Sequence, residues 1–82
     1  MHYAKSLSRA HVKSEAVRSM GYDEGEWVLQ VRFTNGKLYN YFRVPPREYQ
    51  ALKSAGSIGE YLNREIKPYY ECEQVESEAT TS

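Results

Sequence analysis

The stretch from Trp27 to Pro46, WVLQVRFTNGKLYNYFRVPP, constrains the fold more than any other part of the chain. Apolar and polar residues alternate on both sides of Asn35-Gly36, and two prolines end the stretch. Alternation with a period of two is typical of strands, and Asn-Gly between two such runs is a strong signal for a β-hairpin. We therefore expect a hairpin here, with the rest of the chain packed on it.

A two-residue type I′ turn at Asn35-Gly36 gives the register that we favour. It pairs Leu29 with Phe42 across the hairpin and collects the large apolar side chains on one face. The other face then presents Tyr39 and Tyr41. We favour this register because it separates apolar from polar side chains better.

The alternative is a three-residue loop from Thr34 to Gly36 with a G1 bulge, which also accepts Asn-Gly. Leu29 then pairs with Tyr41, and Val31 pairs with Tyr39. Because side chains alternate along a strand, both tyrosines become core residues in this register.

Turn and proline signals divide the first part of the chain into three antiparallel strands. Between the first two strands, Glu24-Gly25 predicts a tight turn in which Gly25 supplies the positive φ. The predicted strands are Ala16 to Asp23, Glu26 to Thr34 and Lys37 to Val44.

Two short helices are predicted after the sheet. Pro46 suits the first position of a helix over Pro46 to Ala55. Ser57 and Glu60 form a capping box that begins a second helix, Ile58 to Ile66. Tyr70 to Val75 is predicted to be a short extended segment.

The predicted fold class is therefore α+β, a three-stranded antiparallel β-meander followed by two short α-helices packed on one face. Such a sheet needs the helices to bury one of its faces. The predicted core is Met20, Trp27, Leu29, Val31, Phe33, Leu38, Phe42, Val44, Leu52, Ile58, Leu62 and Ile66.

An ordered set of short motifs resembles the KTSC domain family. The motifs are Tyr22-Asp23, Leu29/Val31/Phe33, Gly36, Tyr39-Asn40-Tyr41, Val44-Pro45 and Ser57-Ile58-Gly59. The resemblance covers about residues 14–75 and implies the same α+β fold. That family is named for a C-terminal extension of some lysyl-tRNA synthetases and also occurs as free-standing small bacterial or phage proteins. RNA binding is the role suggested for it.

Charge is unevenly distributed, although the formal net charge is zero. All eleven basic residues lie within residues 1–70, whereas residues 71–82 carry four acids and no base. We divide the chain into a flexible N-terminal arm at 1–13, the KTSC-like domain at 14–75 and an acidic polar tail at 76–82. The tail is either a solvated extension or a segment that competes with an anionic ligand for the basic face.

The basic, tyrosine-bearing hairpin predicts a nucleic-acid-binding site on one face of the sheet. Its candidate residues are Tyr39, Tyr41, Arg32, Lys37 and Arg43. Two rings on one strand face can stack on unpaired bases, and the nearby cations can contact phosphates. The opposing interpretation is that the rings are core residues. We expect a small binding module for single-stranded or structured RNA.

The alternative function is a protein-interaction module. A partner chain or a second copy would dock on the tyrosine-rich face or on the open edge of the third predicted strand.

Several function classes are not expected from this sequence. It has no Gly-rich phosphate loop, triad pattern or paired-acid geometry, so we predict no enzyme and no cofactor. His2 and His11 lack the spaced partners of a metal site. No apolar run is long enough for a membrane helix. Cys72 is the single cysteine, which favours a reducing cytoplasm.

Overall fold

Antiparallel strands in chain order form one five-stranded sheet in the computed structural model, which describes residues 10–11 and 16–75. Each strand pairs with the next one along the chain, so the sheet has no crossover. The strands are β1 Ala10–His11, β2 Val17–Asp23, β3 Val28–Phe33, β4 Leu38–Tyr41 and β5 Cys72–Val75.

Two helical segments connect β4 to β5. Helix α1, Pro46–Lys53, begins at the predicted proline. Helix α2, Ile58–Tyr61, continues as a π-helical turn over Leu62–Ile66. The Ser57 hydroxyl accepts a hydrogen bond from the Glu60 N–H at 3.3 Å, which confirms the predicted cap.

The α+β class, the antiparallel sheet and the two helices are confirmed, but the number of strands was too low. The segment predicted as extended at Tyr70 to Val75 supplies β5, which pairs with β4. The two residues of β1 lie within the segment predicted as an arm and pair with β2. The rest of that arm and the acidic tail at 76–82 lie outside the described residues.

The favoured hairpin register is wrong. Leu29 pairs with Tyr41, and Val31 pairs with Tyr39. The Gly36 N–H donates to the Phe33 carbonyl at 2.9 Å, and Gly36 has φ 91°, as a three-residue loop with a G1 bulge requires. Burial of the tyrosine rings therefore prevails over the cleaner separation of polarity on which the prediction rested.

This register sends Phe33, Tyr39 and Tyr41 toward the helices. Tyr41 is only 2% exposed and is a core residue. Phe33, Tyr39 and Tyr22 are partly buried and pack against the same core. The fully buried members of this core are Val17, Met20, Leu29, Val31, Tyr41, Val44, Leu52, Ile58, Leu62 and Ile66.

The opposite face of the sheet is also closed to solvent at its centre. Gln30 and Asn40 face each other across β3 and β4, and the Gln30 amide donates to the Asn40 carbonyl oxygen at 2.8 Å. They are 2% and 1% exposed, and Val28 and Leu38 beside them are buried too. A flat, open aromatic platform is therefore absent from the centre of both faces of the described sheet.

Three predicted core residues are less buried than expected. Trp27 is 44% exposed, and Phe33 and Phe42 are only partly buried. Trp27 also carries the positive φ of its turn, 58°, which we had assigned to Gly25. The Asp23 carboxylate accepts bonds from the backbone of that turn. The positive φ at Trp27 breaks the strand alternation just before β3, so Trp27 does not continue the buried row of Leu29 and Val31.

We predict that Leu29→Ala lowers the free energy of unfolding by about 2–5 kcal/mol, because it leaves a cavity in the core. Trp27→Ala should cost much less, because its ring is 44% exposed. Urea unfolding of both variants measures the difference. Equal losses would contradict the observed side-chain orientation at the start of β3.

Candidate ligand-binding pocket

The five residues predicted to bind nucleic acid do not share one surface. Tyr39 and Tyr41 lie on the helix-facing side of the sheet. Arg32 lies on the opposite side, where its guanidinium donates to the Gly36 carbonyl at 3.0 Å. Arg43 is exposed beyond the end of β4, with φ 63°. Only the two tyrosines and Lys37 come together.

These three residues line a pocket of about 520 Å³ at the turn end of the hairpin. Phe33 and Lys67 complete its aromatic and cationic lining. Cys72, Ala16, Thr34 and Asn35 contribute the rest of the described lining. We call this site the aromatic pocket.

The three rings of the aromatic pocket contact one another as a continuous wall. Phe33 and Tyr39 meet edge to face, with ring centroids 5.6 Å apart and planes at 76°. Tyr39 and Tyr41 lie 6.4 Å apart with planes at 37°. Such mutual contacts stabilise the wall and hold it in one shape.

Two lysines bring positive charge to the pocket, and no acid is among its described lining residues. The Lys67 ammonium lies 5.1 Å from the centroid of the Phe33 ring, a cation–π contact. Among residues 16–75, no carboxylate forms an ion pair with Lys37 or Lys67. The described lining of the pocket therefore carries a net positive charge.

Tyr41 brings a polar group to the inner part of the pocket. No described residue hydrogen-bonds its hydroxyl, yet no fully buried side-chain polar atom in the described chain lacks a partner. The hydroxyl is therefore not fully buried, and we infer that it is reached from the pocket that Tyr41 lines. Burial, with smaller contributions from Cys72 and Tyr39, raises the pKa of Tyr41 well above its ordinary value. The hydroxyl stays protonated and can donate or accept a hydrogen bond.

Local sequence explains how the pocket forms. The three-residue turn places Phe33 and Tyr39 on the same face of the hairpin. At the end of α2, the Lys67 N–H donates to the Leu62 carbonyl at 2.8 Å, five residues back, which is the π-helical spacing. This wider turn ends the helix where Lys67 reaches the Phe33 ring.

Cys72 supplies the thiol of the pocket. It begins β5 opposite Tyr41 and is exposed and free. Within residues 16–75, no three His, Cys, Asp or Glu side chains lie close enough to hold a metal ion. The chemistry of the pocket is therefore aromatic contact, cationic attraction and hydrogen bonding.

Sequence reasoning missed Phe33 and Lys67 as pocket residues. Phe33 was assigned to the core, and its contact with the Tyr39 ring was not predicted. Lys67 was not considered at all, because its approach to the hairpin depends on how α2 packs. No local pattern in the sequence signals that approach.

A second group of tyrosines, outside the lining of the aromatic pocket, surrounds Glu48 on α1. The Tyr61 and Tyr70 hydroxyls both donate to its carboxylate, at 2.5 and 3.5 Å. Nearby, Tyr22 stacks on Tyr49 with ring centroids 4.5 Å apart. These contacts tie α1 to α2, to β2 and to the segment before β5, so we regard this group as structural.

Comparison with known proteins identifies the domain. The family model of the KTSC domain matches residues 13–70, more than half of the chain. This chain belongs to the KTSC domain family. The resemblance noted in the sequence is confirmed.

Relatives of this KTSC domain include small proteins and parts of large ones. It is 41% identical over 64 residues to a protein of Stutzerimonas stutzeri, covering 78% of this chain and 90% of that one. It is 30% identical over 63 residues to the lysine–tRNA ligase of Nostoc punctiforme, covering 77% of this chain but only 11% of the ligase.

The crystal structure of a KTSC domain protein from Yersinia pestis has the same fold. Its TM-score is 0.80 at 32% sequence identity, and the superposition covers 87% of this chain and all of that one. In the described part of this KTSC domain, no helix has the length and apolar character needed to cross a membrane.

We predict an alkaline loss of stability at the Glu48 group. The hydrogen bond to Glu48, helped by desolvation, raises the pKa of Tyr61 to about 12 from 10.0. A raised folded-state pKa means that this contribution is complete below pH 10 and is lost as the pH rises from 10 to about 12.

Chemical unfolding across this pH range tests the prediction by comparing the protein with Tyr61→Phe. The stability advantage of the unaltered protein should shrink from pH 10 to about 12, the two pKa values of Tyr61. Tyr70 also donates to Glu48 and has a raised pKa, so the same comparison in a Tyr70→Phe background isolates the contribution of the Tyr61 hydroxyl. A constant difference would show that the Tyr61 hydroxyl makes no such bond.

Proposed function

We propose that this KTSC domain is a non-enzymatic RNA-binding module that binds single-stranded RNA at the aromatic pocket. The observation that carries the proposal is the combination of the Phe33–Tyr39–Tyr41 wall with Lys37 and Lys67 in a pocket without described acidic residues. Aromatic faces stack on bases of any sequence, and lysines contact phosphates.

The proposal differs from the site suggested by sequence alone. Arg32 and Arg43 are not part of the binding site, because they lie outside the aromatic pocket. Lys67 replaces them as a source of charge. Binding occurs at the turn end of the hairpin and not across the centre of a sheet face.

The relatives support RNA as the ligand. Proteins named lysine–tRNA ligase in cyanobacterial relatives carry a region similar to this chain. A domain attached to an enzyme that acts on a tRNA gains from weak affinity for RNA, because the attachment raises the effective concentration of each site. We propose that this chain binds RNA in the cytoplasm, where the free thiol of Cys72 stays reduced.

A protein-interaction role is the second candidate, and one observation favours it. Trp27 is 44% exposed at φ 58°, and Arg43 is exposed at φ 63°. Tryptophan and arginine are common anchors of protein interfaces. The open strand edge that we had considered for docking is not available, because β5 covers the outer edge of β4.

We predict that Lys67→Gln weakens binding of single-stranded RNA and lowers the salt dependence of the affinity by about one unit of log–log slope, because one phosphate contact is lost. Fluorescence anisotropy with a labelled oligoribonucleotide at several salt concentrations measures both quantities. Lys53→Gln is the matched control, because Lys53 lies over Tyr49, away from the pocket.

Two outcomes would contradict this proposal. One is the absence of RNA binding at low salt. The other is equal loss from Lys67→Gln and Lys53→Gln, which would indicate diffuse charge attraction. A partner protein whose binding is insensitive to salt and abolished by Trp27→Ala would favour the second candidate.

A further inference from the structure

We propose that the aromatic pocket takes a single unstacked nucleobase, whose polar edge hydrogen-bonds the Tyr41 hydroxyl while Lys37 and Lys67 contact its phosphates. This inference rests on the proposed RNA-binding function and specifies its ligand. The site then recognises one exposed base at a time, at a strand end, bulge or loop, and not a run of stacked bases.

The geometry of the three rings limits the number of bases that the aromatic pocket can hold. A base inserted between two aromatic rings holds them about 7 Å apart, twice the contact distance between carbon atoms. The Phe33–Tyr39 and Tyr39–Tyr41 centroids are 5.6 and 6.4 Å apart, and the ring planes meet at 76° and 37°, so neither pair is parallel. No base fits between them, so the trio offers one shared wall.

The pocket is large enough for a nucleotide. Its volume of about 520 Å³ lies within the range of about 300–1,000 Å³ that is typical of small-molecule sites. The ring faces of the wall are apolar, and Lys37 and Lys67 line the same pocket. A nucleotide has the matching arrangement, with a planar base and an anionic phosphate.

The Tyr41 hydroxyl makes the site prefer a nucleobase over a flat group that lacks hydrogen-bonding atoms. Tyr41 is 2% exposed, and no described residue hydrogen-bonds its hydroxyl. A ligand that fills the pocket cuts this hydroxyl off from water. A buried polar group without a partner costs about 1–3 kcal/mol, so the ligand must supply a hydrogen bond. Every nucleobase carries donors and acceptors on its edge, whereas a hydrocarbon ring does not.

The test compares the unaltered 82-residue chain with its Tyr41→Phe variant. This substitution removes the hydroxyl and keeps the buried ring, so the fold is retained. Loss of one neutral hydrogen bond should weaken binding of a short oligouridylate about twofold to tenfold. Tyr49→Phe removes a hydroxyl outside the pocket and serves as the matched control, with no change in affinity. Thermal melting verifies that both variants are folded.

A second measurement separates the contribution of the bases to binding from that of the sugar–phosphate backbone of the RNA. An abasic oligomer of the same length has the same phosphates and no bases. We expect it to bind more weakly than oligouridylate and to show no difference between the unaltered protein and Tyr41→Phe. In NMR spectra of the labelled protein, oligouridylate should shift the amides of Phe33, Tyr39 and Cys72.

The outcomes distinguish this inference from the proposed function. If oligouridylate shifts the pocket amides but binds Tyr41→Phe and the unaltered protein equally, the single-base inference fails and RNA binding at the pocket stands. If the abasic oligomer binds with the same affinity as oligouridylate, the single-base inference also fails, and RNA binding at the pocket still stands. If neither oligomer binds at low salt, or if the shifts lie away from the pocket, both proposals fail.

Discussion

The three-residue turn from Thr34 to Gly36 is the constraint on which the rest of the structure depends. Gly36 adopts φ 91°, a conformation that other residues rarely tolerate, and this closes a G1 bulge. The bulge sets the β3–β4 register and puts Tyr39 and Tyr41 on the face that meets the helices. A two-residue turn would have sent both rings to the other face, and neither the core nor the aromatic pocket would exist in this form.

The same register explains why the domain has a pocket and not a platform. One side of the sheet is covered by α1 and α2 as far as the turn end of the hairpin, where Phe33 and Tyr39 are only partly buried. The other side is closed around the Gln30–Asn40 hydrogen bond. The surface of Phe33, Tyr39 and Tyr41 that remains accessible at the turn end is therefore small and lies close to Lys37 and Lys67, which suits the single anionic, planar ligand that we propose.

Much of this fold was predictable from local signals. Asn35-Gly36 located the hairpin, Pro46 the start of α1, and Ser57 the start of α2, because each residue meets a backbone requirement within a few residues of itself. The register was not predictable in the same way. Both turns accept Asn-Gly, and the choice depends on burial of Tyr41 in a core that also contains residues distant in the chain, such as Leu62 and Ile66. Lys67 was not predicted as a pocket residue for the same reason, since its position depends on how the helix packs.

The most direct test of this account is the hairpin register in solution, measured by cross-strand NOEs in NMR spectra. The structure pairs Gln30 with Asn40 and Arg32 with Leu38. We expect NOEs between the backbone protons of these two pairs, together with contacts from the Tyr41 ring to side chains of the helix-facing core, of which Leu62 and Ile66 are members. NOEs that instead pair Val31 with Asn40 and Phe33 with Leu38 would establish the two-residue turn, place Tyr41 on the opposite face and contradict the account of the aromatic pocket.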